Sequence, residues 1–481
     1  MTITVIKNAE FVVGWDAAAA RHVYLNDADV AFDGNVIVHV GPGYVSKAGE
    51  RVEEVDGRGK LVMPGLINIH SHPASEPLNK GYTDEVGSPG LYNSGLYEVM
   101  PLMRGDAEAA PHCLNQALGE LLLSGVTTLV DMSGTHETWI DVMAASGIRG
   151  CIAPLFKSAK WYTRNGHLVE YDWDEKAGER SMEAALKLVD KACSHSSGRL
   201  FGMVTPAQVD TCTPELIKAS RQEAERRNLS WQIHAAQSVP EFHEMTRRHG
   251  VTPIQWLHSL GVLKPRSIVG HGIFLDDHPR AAWHTKTDLS ILADTGSTVA
   301  HCPTIFMRRG MALRDFGRYR RAGVNMGIGT DSYPHNMTDE MRHVAYLARL
   351  MADDPRTTTT TEIFNAATIG GATALGRDDI GRLAVGAKAD MVLVDLKHPM
   401  MSPYRDPVRS LIYAAGERAI DTVYVDGNKV VENGEVLTID RAAAAAGVQE
   451  AQQRAIEKFP GLDLVANRSI AEVAPLTFPL N

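Results

Sequence analysis

The chain has 481 residues, of which 44% are hydrophobic and 22% charged, as in an ordinary soluble globular protein with a sizeable core. A formal net charge of −10 and the lack of a basic run argue against nucleic acid or an anionic membrane as the main partner. We expect no signal peptide and no membrane span, because no basic segment precedes an apolar core and no apolar run is long enough. Five scattered cysteines without a CxxC pair favour a reducing compartment, so a cytoplasmic location is expected.

The two ends of the chain have a similar texture of short apolar runs separated by turn signals such as Asp-Gly. This pattern predicts short β-strands over residues 1–60 and again over residues 386–440. We expect the two segments to form one small β-sandwich domain. Residues 441–481 should form an alanine-rich helix and a tail, with the helix covering the central domain or contacting another subunit.

The middle of the chain, residues 61–385, alternates eight strand-like runs with helix-like stretches. This alternation predicts an α/β fold with a parallel sheet. Eight units fit a (β/α)₈ TIM-like barrel, which typically needs about 250 residues. An open doubly wound sheet is the alternative, although no GxGxxG turn or P-loop supports a nucleotide-binding version.

Polar residues lie at the C-terminal ends of these runs, where barrel enzymes carry their active sites. In an extended segment His70 and His72 point to the same side, so both imidazoles can meet one metal ion. Four more candidates directly follow apolar runs: His234, His271, His301 and Asp331. Three imidazoles and one carboxylate would suit Zn²⁺ or Fe²⁺ with room for a water molecule. The alternative is a set of core histidines that are hydrogen-bonded to backbone carbonyls.

Several motifs occur in the order seen in the amidohydrolase superfamily: PGLINIHSH, GVTTLVD, IHAAQS, VGHG, AHCPT and GIGTDS. The chain resembles this superfamily over nearly its whole length. It looks closest to the mononuclear subgroup of cytosine, guanine and S-adenosylhomocysteine deaminases, s-triazine hydrolases, and phenylurea and thiocarbamate hydrolases. The resemblance implies a metal-dependent hydrolase of a small-molecule substrate, and it favours a homo-oligomer.

The resemblance also implies a role for each matching residue. The metal ligands would be His70, His72, His234 and Asp331. Asp331 would also accept a proton from the attacking water, and His271 would hydrogen-bond that water or the developing oxyanion. His301 would be a substrate contact or an outer contact of the metal site.

The resemblance predicts one Zn²⁺ per subunit, with Fe²⁺ as the other possible ion. The binuclear branches of the superfamily need a bridging lysine on the fourth strand, and the candidate fourth strand has none. Lys157 lies on the third strand-like run, where we interpret it as an ordinary rim lysine.

Gln237 stands where the related deaminases carry a proton-transferring glutamate. An amide can hold a carbonyl or a ring nitrogen but has no useful pKa. The substrate could need less acid help there, the enzyme could be impaired, or another carboxylate could replace the missing one. The candidates for replacement are Glu76, Glu85, Glu98 and Glu241, although a solvated surface position is the simpler interpretation of each.

Other features suggest an apolar and flat substrate. His335 follows Asp331 closely and could contact substrate or lie at the rim. Aromatic residues on the predicted loops could stack on the substrate or simply pack the loops. They are Tyr82, Tyr92, Tyr97, Trp161 and Tyr162.

These observations favour hydrolysis of a C–N bond in a small amide, urea or carbamate, possibly aryl, since such a substrate already has a carbonyl that the metal can polarise. The alternative is deamination or dechlorination of a nitrogen heterocycle of the s-triazine, pyrimidine or purine type. A metal-bound scaffold protein without activity is the third class. Zinc retained without turnover of any substrate would favour that class.

Overall fold

The computed structural model describes residues 2–480. Its strands, in chain order, are β1 Thr2–Asp16, β2 Arg21–Asp33, β3 Val36–Gly41, β4 Arg51–Asp56, β5 Lys60–Pro64, β6 Leu66–Ser71, β7 Val126–Asp131, β8 Arg149–Ile152, β9 Leu155–Phe156, β10 Ala159–Tyr162, β11 Glu170–Trp173, β12 Phe201–Gly202, β13 Thr205–Pro206, β14 Trp231–Ala235, β15 Ser267–His271, β16 Thr298–His301, β17 Asn325–Ile328, β18 Met391–Asp395, β19 Ile420–Val425, β20 Asn428–Glu432 and β21 Glu435–Val436.

The α-helices of the same residues begin and end with good local signals. Side-chain caps at Thr213, Ser238 and Asn336, for example, accept backbone N–H groups of the helix that follows. The helices are α1 Ala109–Leu123, α2 Trp139–Ala145, α3 Glu175–Cys193, α4 Pro214–Arg226, α5 Val239–His249, α6 Pro253–Ser259, α7 Asp288–Asp294, α8 Pro303–Met307, α9 Phe316–Arg321, α10 Met337–Ala352, α11 Thr360–Asn365, α12 Gly371–Ala374, α13 Pro407–Ser410, α14 Arg441–Lys458 and α15 Ile470–Val473. None of the helices in residues 2–480 combines the length and apolarity needed to span a membrane.

Strands from both ends of the chain form one nine-stranded sheet. Strand β5 pairs in parallel with β1 and antiparallel with β18, so the early and late segments share a continuous hydrogen-bonded ladder. The side chains of this sheet pack into a core of their own, which includes Ile6, Val30 and Leu393. The joint β domain expected from the sequence is therefore a single sheet by its hydrogen bonds.

Apart from the antiparallel pair β10–β11, the central strands are parallel and alternate with helices, which confirms the predicted α/β fold. They fall into three sheets, in the orders β6–β7–β8–β12, β9–β13 and β14–β15–β16–β17. Isolated parallel bridges join these sheets at three points: Val204–Trp231, Gln208–His234 and Ser71–Asp331. The predicted closed barrel is thus seen only in part, because continuous pairing is interrupted around the ring.

The C-terminal helix α14 packs against α1 of the same chain and supports a loop of the central domain. Val448 and Ala451 lie in one apolar cluster with Leu78 and Ala109. The Gln452 side-chain amide donates to the carbonyl oxygen of Leu78 at 2.6 Å and to that of Lys80 at 3.0 Å. Of the two roles predicted for this helix, covering the central domain is the one that these contacts support.

A buried ion pair joins the central domain to the β domain. Arg149, at the start of β8, donates from Nε and Nη2 to the two carboxylate oxygens of Asp390 at 2.8 and 3.0 Å. Its Nη2 also donates to Asp426 Oδ1 at 2.8 Å. The side chains of Arg149 and Asp390 are only 1% and 2% exposed. Water therefore cannot solvate either charge if the other is removed.

Arg149→Met should lower the free energy of unfolding by about 3–5 kcal/mol, because it leaves two desolvated carboxylates without a counter-charge. Urea denaturation measures the change. Arg356→Met is the matched control, since the Arg356 side chain is 89% exposed in its pair with Asp354 and should matter by less than about 1 kcal/mol. Equal effects of the two substitutions would contradict this account of the domain contact.

Candidate metal centre

Four histidines and one aspartate meet at the C-terminal ends of the parallel strands. His70 lies near the end of β6, His72 follows it by two residues, His234 lies in β14 and His271 ends β15. Asp331 follows β17 and bridges to Ser71. Two overlapping groups of three have their ligand atoms within 4.8 Å of one another: His70, His234 and His271, and His70, His72 and Asp331.

The distances between these atoms suit a single metal ion. With bonds of about 2.1 Å, two ligand atoms of a tetrahedral zinc lie about 3.4 Å apart. His72 Nε2 lies 3.2 Å from Asp331 Oδ1 and 3.3 Å from His234 Nε2. His70 Nε2 lies 3.6 Å from Asp331 Oδ1 and has no hydrogen-bond partner among residues 2–480, although it is buried. A metal ion would satisfy that nitrogen.

The other ring nitrogens of His72 and His234 bond to backbone carbonyls. His72 Nδ1 lies 2.5 Å from the Met132 carbonyl oxygen, and His234 Nδ1 lies 2.6 Å from that of Ala207. Since a carbonyl only accepts, these contacts place the proton on Nδ1 and leave Nε2 with a free lone pair. Backbone carbonyls therefore select the tautomer that a metal ligand needs.

His70 is held by a side chain instead. Its Nδ1 lies 2.7 Å from Gln232 Oε1, and the Gln232 amide group donates to the Ile69 carbonyl at 3.1 Å. Gln232 is fully buried two residues before His234 in β14, so both side chains point to the same face of the strand. Such outer contacts orient the ligands of metal sites.

Charge within the cluster reinforces this arrangement. Burial alone would raise the pKa of Asp331, but the imidazoles of His271, His70 and His72 hold it well below its usual value. Burial lowers the pKa of His271 to about 3, so this ring is neutral. In His72 burial opposes protonation, yet the bond to Asp331 and its charge raise the pKa to about 9. The carboxylate is thus charged and attracts a cation.

A cavity of about 100 Å³ opens onto the cluster. Its polar lining includes Glu76, Gln237 and Arg309, beside His72, His234, His271 and Asp331. The apolar wall of the cavity is made of Leu96, Met100, Ile305, Phe306 and Met311. The Phe306 ring lies 4.6 Å from the His271 ring, centroid to centroid, so this wall begins next to the metal cluster.

Gln237 lines the cavity, and its Nε2 is buried without a partner in the described chain. Glu241 lies behind it, fully buried, and accepts the backbone N–H of Ala236 at 2.6 Å and that of Gln237 at 3.4 Å. The Ser238 side chain caps α5 through the Glu241 N–H and also contacts the Tyr97 hydroxyl at 2.8 Å. Gln237 is therefore held in place with its amide free.

The surface interpretation is wrong for three of the four candidate glutamates, since the Glu98 side chain is also only 9% exposed. Glu76 is only 8% exposed, lines the cavity and accepts the Ser332 hydroxyl at 2.6 Å, and Glu241 is buried under the Gln237 loop. Glu85 is exposed as expected. Glu98 accepts a bond from Arg468 at 2.8 Å. Glu76 is thus the one of the four whose side chain lines the cavity.

His301 and His335 are buried and do not line the cavity. The His301 ring lies 5.9 Å from that of Phe316, and burial lowers its pKa to about 3. The backbone N–H of His335 donates to Glu120 Oε2 at 3.1 Å, and its Nδ1 lies 3.7 Å from the same oxygen. Their predicted substrate contacts therefore have no support from this geometry.

The predicted aromatic residues pack the loops. The Tyr97 ring lies 5.3 Å from that of Trp161, and the Tyr82 ring lies 6.4 Å from that of Phe459. Lys157 lies over Trp161 at 4.9 Å, outside the metal cluster. The residues that sequence reasoning missed are Arg309 and Met100. For Arg309, the pair of arginines in a short apolar segment after His301 could have indicated a buried cation.

Residues 61–430 match the model of the amidohydrolase family. This chain belongs to the amidohydrolase family. A 5-methylthioadenosine/S-adenosylhomocysteine deaminase of Pelotomaculum thermopropionicum is 30% identical to this amidohydrolase over 438 residues, which are 89% of this chain and 94% of that protein. The resemblance inferred from the motifs is confirmed.

Two solved structures share the fold of this amidohydrolase. An adenosine deaminase from Xanthomonas campestris with bound zinc has a TM-score of 0.79 at 23% identity, covering 94% of this chain and 98% of that one. Atrazine chlorohydrolase from Arthrobacter aurescens, complexed with zinc, has a TM-score of 0.75 at 23% identity, covering 94% and 100%. At these identities the likeness establishes the fold.

Gln232→Leu should weaken zinc binding about 10–100-fold, because His70 loses the acceptor that orients its ring. Titration of the metal-free protein against a chromogenic zinc chelator measures the Kd. Gln453→Leu is the control, since Gln453 lies exposed on α14. An unchanged Kd in Gln232→Leu would show that the ring is positioned without this contact.

Proposed function

We propose that this amidohydrolase is a metal-dependent hydrolytic deaminase of a nitrogen heterocycle. The observation that carries the proposal is the second carboxylate in the cavity, Glu76, beside the metal cluster. An amino group leaves a ring carbon as ammonia only after it has been protonated, and the amide of Gln237 cannot supply that proton. The sequence favoured an amide, urea or carbamate substrate because no proton-transferring carboxylate could be placed in the site. The deaminase named among the relatives supports the alternative over that preference.

We further propose one Zn²⁺ per chain, held by His70, His72, His234 and Asp331, with Fe²⁺ as a second ion for the same donors. A single barrel closed through the three bridges, the domain boundaries, the homo-oligomer and the cytoplasmic location stay predictions. The substrate contacts predicted for His301 and His335 stay predictions as well.

The chain's own residues divide the work of the reaction. Zinc bound here would supply Lewis acidity, which makes water nucleophilic near neutral pH. Asp331 takes the proton of the attacking water at its carboxylate. His271 is neutral and steadies developing negative charge through an N–H.

Gln237 and Glu76 complete the reaction on the substrate side. Gln237 orients the ring through its free amide. Glu76 passes the proton that Asp331 took from the water on to the exocyclic nitrogen and is left ionised again. Water's oxygen then replaces that nitrogen on the ring carbon, the C–N bond breaks, and ammonia departs.

The deciding experiment gives the zinc-loaded protein a panel of candidate substrates in ¹⁸O-labelled water. The panel contains 5′-methylthioadenosine, S-adenosylhomocysteine, nucleobases, an aminotriazine and a chlorotriazine, with an aryl urea, a thiocarbamate and an anilide for comparison. We expect ammonia and an intact ring that carries labelled oxygen, detected by mass spectrometry. Asp331→Asn should abolish turnover. Release of an aryl amine with every heterocycle unchanged would overturn the proposal.

Glu76→Gln should lower kcat by about 10²–10⁴-fold, the usual worth of general acid–base catalysis, with metal content unchanged. Gln237→Ala is the informative companion, since a positioning residue should raise KM more than it lowers kcat. Steady-state kinetics on the best panel substrate separate the two patterns. A Glu76→Gln enzyme with near-normal kcat would remove Glu76 from proton transfer.

A further inference from the structure

The cavity contains a guanidinium group without a counter-ion. Arg309 lines the cavity, and no carboxylate of the described residues lies within 4 Å of its nitrogens. Its Nε is buried and has no hydrogen-bond partner in residues 2–480. The polar contact of its Nη2 is the sulfur of Met100 at 3.5 Å, a weak acceptor. An arginine fork is therefore available to a ligand.

The adjacent Arg308, in contrast, has polar partners for its guanidinium group. Arg308 Nε lies 3.7 Å from Asp84 Oδ1, and its Nη2 donates to the Tyr333 carbonyl. Its guanidinium carbon also lies 4.1 Å from the centre of the Tyr333 ring. Arg308 thus holds loops together, whereas Arg309 has no comparable structural role.

The two carboxylates of the cavity do not neutralise Arg309. Glu76 accepts the Ser332 hydroxyl, and Asp331 is surrounded by imidazoles. Burial lowers the pKa of Arg309, and the negative charges of Glu76 and Asp331 oppose that shift. A desolvated cation gains most from an anionic partner that accepts two hydrogen bonds.

The cavity wall defines where that partner would lie. The backbone N–H of Arg309 donates to the Phe306 carbonyl at 3.0 Å, so the two residues lie on one turn at the C-terminal end of α8. The Phe306 ring contacts His271 at one end of this turn, and Arg309 stands at the other. A flat ring lying on Phe306 can therefore direct its amino group to the metal cluster and a second substituent to Arg309.

We propose that Arg309 binds a carboxylate of the substrate, so that the substrate class is an amino-heterocycle with a carboxylate group. Arg309 is a specificity-determining residue of the cavity, and this inference rests on the deaminase function proposed above. Its planar fork suits bidentate binding of a carboxylate, which a lysine at the same position would match only in charge.

Binding of ligands that cannot react tests the inference apart from turnover. The probes are pyrimidine-5-carboxylate and pyrimidine-5-carboxamide, measured by calorimetry on the zinc-loaded protein. The wild type should bind the carboxylate at least about tenfold more tightly, as expected for charge-assisted hydrogen bonds. Arg309→Met should abolish the preference and Arg309→Lys should keep part of it. Arg314→Met, at an exposed position, should change nothing.

A wild type without preference would overturn the inference. A preference that survives in both Arg309 variants would do so too, since it would mean that the carboxylate binds the metal cluster. If Arg309→Met fails to fold, as its melting curve would show, Arg309→Lys alone decides the question through the size of the remaining preference.

Turnover of 4-aminopyrimidine-5-carboxylate and its carboxamide separates the two proposals. We expect Arg309→Met to raise KM for the acid more than for the amide, with a smaller change in kcat. Deamination of both compounds with equal effects of Arg309→Met would leave the deaminase standing and overturn the role of Arg309. Intact preference in binding, without deamination of any panel heterocycle, would support Arg309 and overturn the deaminase.

Discussion

The charge of Asp331 among the surrounding imidazoles is the interaction on which this site depends. An ionised carboxylate in a poorly hydrated interior is costly unless donors or a cation surround it. The parallel strands bring His70, His72 and His271 within 3.7 Å of its oxygens, as measured from their Nε2 atoms. The cavity, the orientation of the rings and the position of Gln237 all follow from strands that end at this point.

The metal cluster could be predicted from the sequence because it depends on strand geometry. Alternation along a strand places His70 and His72 on one side, and it likewise places Gln232 beside His234. The role of Gln232 could have been predicted in the same way, since a buried glutamine two residues before a candidate ligand histidine is well placed to orient another ring. The α/β fold followed from the same regularity. Continuous closure of the barrel did not, because it depends on hydrogen bonds between segments distant in sequence.

The other cavity residues could not be predicted in this way because they lie outside regular strands. Glu76 begins a short 3₁₀ helix, and Arg309 lies in a turn after α8. Their exposure depends on which loops cover them, and composition alone favours the surface for both. The burial of Glu241 could not be predicted either, since it follows from the tight turn between β14 and α5. Sequence reasoning thus predicted the residues that meet at the strand ends and missed the cavity residues that surround them.

The contact between α14 and the loop after His72 joins two segments that are synthesised far apart in time. Gln452 bonds to the carbonyl of Leu78, a residue 374 positions earlier, two residues after Glu76. A chain synthesised from its N-terminus completes the strands that carry the histidines before α14 exists. The loop with Glu76 can therefore gain its support from α14 only after the segments that carry the histidines have been synthesised. Until α14 is made, that loop lacks the two hydrogen bonds from Gln452.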